Sequence, residues 1–179
     1  EVYAPIAFKV MMRLCGDLGN TGDGHNMAAW AGAAFQDAPW PTMMHPQAAA
    51  GFHGPFLFLN PEGKRFMNEA TWVQGKCLGV MYNGGSDHAW SIFDANWQND
   101  LKSSLEHGGG MFWDTMSRSV TQEFDPAEIL ATVEGEVEQG NTAWKADTLE
   151  ELAEKLNMPA DAFVATVERY NELCAKGED

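Results

Sequence analysis

The chain is short of cations: eleven lysines and arginines face twenty-six aspartates and glutamates, a formal net charge of −15 at pH 7. A charge of that sign repels phosphodiester backbones and anionic lipid headgroups, so neither nucleic acid nor a membrane is an expected partner. Cysteine is scarce. Cys15, Cys77 and Cys174 lie far apart, no CxxC occurs, and an odd count does not suggest a disulfide framework. The five histidines, His25, His45, His53, His88 and His107, show neither HxxxH nor HExxH spacing, and no metal site is expected. Lys9 and Arg13 interrupt the opening apolar stretch, which is too short to span a bilayer and carries no leader pattern. The expectation is a soluble segment of a prokaryotic protein, with cytoplasm and cell envelope both open. The chain begins without Met and stops on Gly177-Glu178-Asp179 straight after a helical pattern, as a piece of something longer would.

What is present is enough to fold. The 179 residues are 45% hydrophobic, with seven Trp and ten Phe, which suffices for one packed domain and part of another. Much of the acidity sits between Glu123 and Asp179 and reads as a solvated face.

The turn Asn20-Thr21-Gly22-Asp23-Gly24 precedes an Ala-rich helix expected over Met27 to Phe35, with Thr21 or Asp23 available as its cap. Residues 37–54 are loop-like, broken by Pro39, Pro41, Pro46, Gly51 and Gly54. Phe56 to Leu59, the turn Asn60-Pro-Glu-Gly63 and Lys64 to Met67 read as a β-hairpin, and Ala89 to Phe93 as a further strand. Pro126 opens a short helix with Ile129, Leu130 and Val133 on one side, and Ala143 to Ala146 reads as a short strand. Thr148-Leu-Glu-Glu151 is a capping box, followed by Leu149, Leu152, Ala153 and Leu156 at the spacing of one buried helix face, with Glu151 and Lys155 as an i, i+4 pair. A last helix from Pro159 carries Phe163, Val167, Tyr170 and Cys174 on one face and ends before Gly177. Helices mixed with hairpins indicate an α+β fold.

Taken in order, several of these segments resemble one family. Asn20-Thr-Gly-Asp-Gly24 with Met27-Ala28 is similar to the TGDG-x-x-M segment of fumarate reductase and succinate dehydrogenase flavoproteins. His45-Pro46 stands where they have an active-site His-Pro-Thr, and Asn60-Pro-Glu-Gly-Lys-Arg-Phe-Met-Asn-Glu69 resembles their N-x-x-G-x-R-F-x-N-E hairpin. Ser91 to Asp94, Ala146 to Ala153, Val167 to Asn171 and Gly177-x-Asp179 resemble the later strand and the closing helices of their capping domain.

The resemblance implies FAD as cofactor, held partly by Thr21, Gly22, Asp23 and Gly24, where Asp23 would accept hydrogen bonds from the cofactor; a helix cap is the plainer reading of the same aspartate. It implies that His45 donates a hydrogen bond to a substrate carbonyl or carboxylate, though a surface-loop histidine fits equally; Arg65 and Glu69 would tie the hairpin to the cap core. No GxGxxG follows a strand, so the main pyrophosphate loop would lie outside this chain. Two departures bear on substrate. The stretch Gln47 to Gly54 has no counterpart of the family's T-E-x-x-R-G carboxylate and guanidinium, and Val73 stands where fumarate reductases have their proton-donating arginine.

We therefore expect residues 1–47 to be the end of an FAD-binding section and 48–179 a substrate-capping domain with a small mixed or antiparallel sheet. Its partners would be a small-molecule substrate and the remainder of the FAD-binding domain. The reaction would be reduction or dehydrogenation of a C=C or CH–CH bond outside fumarate, and Trp40, Phe52 and Trp72 suggest an apolar or aromatic substrate pocket, with core packing as the plainer reading of each. A stand-alone acidic binding module without redox chemistry is the competing expectation.

Overall fold

A computed structural model of the chain describes residues 5, 21–40, 56–71, 73–105, 126–140 and 142–179. The chain separates into two compact units, Glu1–Met43 and Met44–Asp179.

The first unit contributes helix α1, Asp23–Trp30, none of whose residues is buried. It begins four residues earlier than the alanine pattern predicts and ends sooner, because Gly32 takes a left-handed φ of 92°. The expected side-chain cap does not form either. Gly22 occupies the N-cap position with φ 83°, and the Thr21 hydroxyl donates to the Asp23 carboxylate at 2.7 Å instead of capping a free amide.

In the second unit, β1 (Leu57–Leu59) and β2 (Trp90–Ile92) form a two-stranded antiparallel sheet, with Leu57 opposite Ile92 and Leu59 opposite Trp90. Three further helices are α2 (Val73–Tyr82), α3 (Trp97–Leu105) and α4 (Pro126–Gln139). The helices α5 (Leu149–Lys155) and α6 (Ala160–Lys176) close the chain.

The architecture is helical with a small antiparallel sheet, which is an α+β arrangement, but the expected hairpin is corrected. Past the turn only a single bridge forms, Leu59 to Arg65, and the ladder of β1 runs with β2 across thirty-odd residues of chain. The turn itself is well made. Asn60 Oδ1 accepts from the amides of Glu62 and Lys64 at 3.1 and 3.0 Å, and Gly63 turns at φ 76°. A Cβ at Gly63 would stand 3.0 Å from the Phe163 amide nitrogen, so only glycine lets the turn lie against the first turn of α6. Thr166 Oγ1 secures the contact by donating to the Gly63 carbonyl at 2.7 Å.

The core gathers Leu57, Leu59, Ala153, Leu156, Met158 and Phe163, with Trp90, Trp144, Leu152 and Val167 packed around it. β1 is buried at all three positions, which a continuous Leu-Phe-Leu run permits and an alternating strand would not. Thr148 caps α5 as expected, accepting from the Glu151 amide at 3.2 Å. Leu149, Leu152, Ala153 and Leu156 face the core as the helical spacing requires. Three local expectations do not hold. Lys155 donates to the Lys145 carbonyl at 2.6 Å rather than meeting Glu151, Cys174 is exposed, and residues 143–146 form no strand, although Trp144 meets Trp90 edge-on at 5.0 Å.

Candidate functional site

The four residues singled out at the glycine turn stay together. Left-handed Gly22 delivers the chain into α1, so that Asp23 stands in the first helical turn beside the Thr21 hydroxyl and the Asn26 amide reaches back to the Gly22 carbonyl at 3.1 Å. An unpaired helix N-terminus carries partial positive charge that steadies a carboxylate there. Among the described residues, nothing lies within 4 Å of where a Cβ would sit on Gly22 or Gly24, so the backbone of this turn is open to approach.

Beside the turn lies an open cleft of about 340 Å³, lined by Gly24, His25, Ala28, Ala29, Ala33, Ala34 and Phe35. Its floor is apolar because the small side chains of α1 and the extended chain after it leave no bulk to fill the space. His25, Phe35 and Trp40 stack at its rim, with ring centroids 5.7 to 6.0 Å apart, and Trp40 Nε1 donates to the Gln36 carbonyl at 2.7 Å. His25, which lines this cleft, was not singled out; its only signal in the sequence was adjacency to Gly24. Trp40 was expected near substrate on composition, and here it braces this rim. His45, the stretch 47–54 and Trp72 lie outside the described residues, as does the expected boundary after residue 47.

The second unit holds a separate polar centre built on the N-x-x-G-x-R-F-x-N-E run. Arg65 Nε donates to both carboxylate oxygens of Glu69 at 2.9 and 3.1 Å, and the Phe58 amide donates to Glu69 Oε1 at 3.3 Å. This ties β1 to the loop that follows it. Arg65 also binds Asp179, with Nη2 to Oδ2 at 2.7 Å, and lies over the Tyr170 ring at 5.2 Å. These contacts hold the guanidinium protonated far above its ordinary range and draw the Asp179 carboxyl below its own.

Lys76, which the sequence reading did not single out, is fully buried on α2 with its Nζ 5.2 Å from the centre of the Phe58 ring. Burial pushes its pKa down to about 8, and the Glu69 carboxylate opposes the shift. Burial likewise pushes the Tyr170 phenol up to about 12 and raises the Cys77 thiol. Val73 begins α2. No described helix is long and apolar enough to cross a membrane.

Comparison with known proteins gives this geometry a context. The family described as "FAD binding domain" matches residues 8–179. The chain is 31% identical to a 3-oxosteroid 1-dehydrogenase of Mycolicibacterium smegmatis over 92% of its own length and 28% of the relative's. It is 26% identical to the vinyl phenol reductase of Lactiplantibacillus plantarum, over 94% of this chain and 34% of that one. A protein of Shewanella frigidimarina named as a probable fumarate reductase is 26% identical over 89% of this chain and 23% of its own length. The chain thus spans about a third or less of each of these relatives. No solved structure matches it. With nearly its whole length matched, this chain belongs to the FAD-binding-domain family of FAD-dependent oxidoreductases.

Proposed function

We propose that the chain is the capping portion, residues 48–179, with the end of one FAD-binding section, residues 1–47, of an enzyme that reduces or dehydrogenates a C=C or CH–CH bond in a substrate other than fumarate. The observation that carries this reading is the family match over residues 8–179 together with relatives named for a steroid dehydrogenation and a vinyl reduction. FAD, when bound, supplies the hydride chemistry.

The glycine turn fits one section of that cofactor. Its open backbone permits close approach, and a shallow, open apolar depression lies beside it. Asp23 suits a hydroxyl-bearing section and not the pyrophosphate, because a carboxylate accepts from hydroxyls and repels phosphate. His45 is the residue of this chain proposed to donate a hydrogen bond to substrate. Val73 cannot deliver a proton as the arginine of fumarate reductases does, and burying a dicarboxylate without cationic partners is costly.

The test compares FAD content in the full-length enzyme that contains this chain and in its Asp23→Ala variant at limiting cofactor. The proposal expects reduced occupancy with the second unit still folded. Equal occupancy in both proteins would remove Asp23 from the cofactor site.

A further inference from the structure

The guanidinium of Arg65 is engaged on two edges and one face. Glu69, itself only 5% exposed, fixes the Nε edge; Asp179 takes the other edge, and Tyr170 lies beneath. Asn68 Nδ2 adds a donor to the same Asp179 oxygen at 2.8 Å. Asp179 follows Gly177, whose left-handed φ of 70° ends α6, and chain beyond such a stop ordinarily frays. The Arg65–Asp179 pair is partly solvated, with side-chain exposures of 19% and 40%, so it adds little to stability. Convergent donors on a carboxylate past the end of a helix therefore call for another purpose. A guanidinium already immobilised by Glu69 gives up little further freedom in receiving that carboxylate, which makes it a ready-made socket.

We propose that Arg65 is a positioning residue that, with Asn68, clamps Asp179 and so fixes the direction in which the chain leaves α6. Resting on the reading of this chain as part of a longer flavoenzyme, the clamp gives the polypeptide after the capping portion a fixed point of departure in place of a swivel. Glu69 acts through Arg65.

Amide hydrogen exchange on the 179-residue chain tests this without any flavin, so its outcome is independent of FAD occupancy, which bears on the functional reading. Asp179→Asn and Arg65→Gln should each speed exchange across 173–179 by about fivefold, the scale of an exposed pair. The double variant should be no faster than either single one, and Asp179→Glu should keep most of the protection. Exchange across 57–59 and 160–167 should be unchanged in Asp179→Asn, which separates positioning from a general loss of stability. Unaltered exchange across 173–179 in Asp179→Asn, or effects of the two substitutions that simply add, would overturn the proposal. Should Arg65→Gln fail to fold, Asn68→Ala and Asp179→Asn decide the question alone.

Discussion

Replacing Lys76 by methionine removes a charge from the interior, and the pH dependence of stability should reveal what that charge costs. Lys76 is fully buried, and it gives up its proton near pH 8 where an exposed lysine does so at 10.5. At 1.4 kcal/mol per decade of proton affinity, that difference corresponds to about 3 kcal/mol of destabilisation whenever the group is charged. Because the folded pKa lies below the unfolded one, the unfolded chain binds more protons between pH 8 and 10.5, and stability from this group rises with pH across that window. Below pH 8 the penalty is present in full. Between pH 7 and pH 9 the recovery should amount to about 1 kcal/mol. Cys77 and Tyr170 act in the opposite direction, since groups with raised pKa values lose stability as pH climbs. The difference between wild type and variant isolates the lysine. Urea unfolding of both proteins at pH 7, 8, 9 and 10 is the assay. The stability of Lys76→Met relative to wild type should fall steadily from pH 8 toward pH 10, while Glu69 keeps its bonds from Arg65 and the Phe58 amide. A gap between the two proteins that stays constant from pH 7 to 10 would refute the lowered pKa of Lys76.

Other outcomes are equally specific. Phe163→Ala empties a fully buried position and should cost about 3–5 kcal/mol, read as a lowered urea midpoint with unchanged slope. Leu152→Ala, at a half-buried position, should cost less, near 2 kcal/mol. Gly63→Ala combines a left-handed backbone with a Cβ pressed against the Phe163 amide and should destabilise by about 1–3 kcal/mol; a neutral result would show that the turn can lift off α6. The 179-residue chain should fold yet purify without a stoichiometric flavin band, since it holds no GxGxxG loop for the pyrophosphate.

The legible parts of this fold were those whose signal is local. The Thr148 cap, the apolar face of α5, the Gly63 turn and the Gly177 stop each follow from a few neighbouring residues. The partner of β1 was not legible, because nothing within Leu57–Leu59 distinguishes Lys64–Met67 from Trp90–Ile92 as a neighbour, and buried strands carry no alternation to set register. Helix α2 was hidden by Gly75 and Gly79, which weaken propensity, and by Lys76, which reads as a surface residue until Glu69 and Phe58 are seen around it. At the candidate site, Thr21 to Gly24 were found as a motif, but the left-handed Gly22 that displaces Thr21 from the cap required the backbone. The Arg65–Asp179 contact joins residues more than a hundred positions apart and leaves no trace in spacing.

The proposed reaction at a C=C or CH–CH bond is put to the test by turnover of the full-length, FAD-loaded protein. Steady-state rates should be measured for fumarate beside a panel of cyclic enones, 3-oxosteroids and vinyl phenols, with artificial electron donors and acceptors so that either direction can be seen. Turnover is expected on at least one of the bulkier compounds, reduced by His45→Ala. For fumarate the expected rate is about 10²–10⁴-fold below that of a fumarate reductase, the usual worth of a positioned proton donor. Fumarate reduction at the full rate of such an enzyme, with Val73 in place of its arginine, would contradict the account.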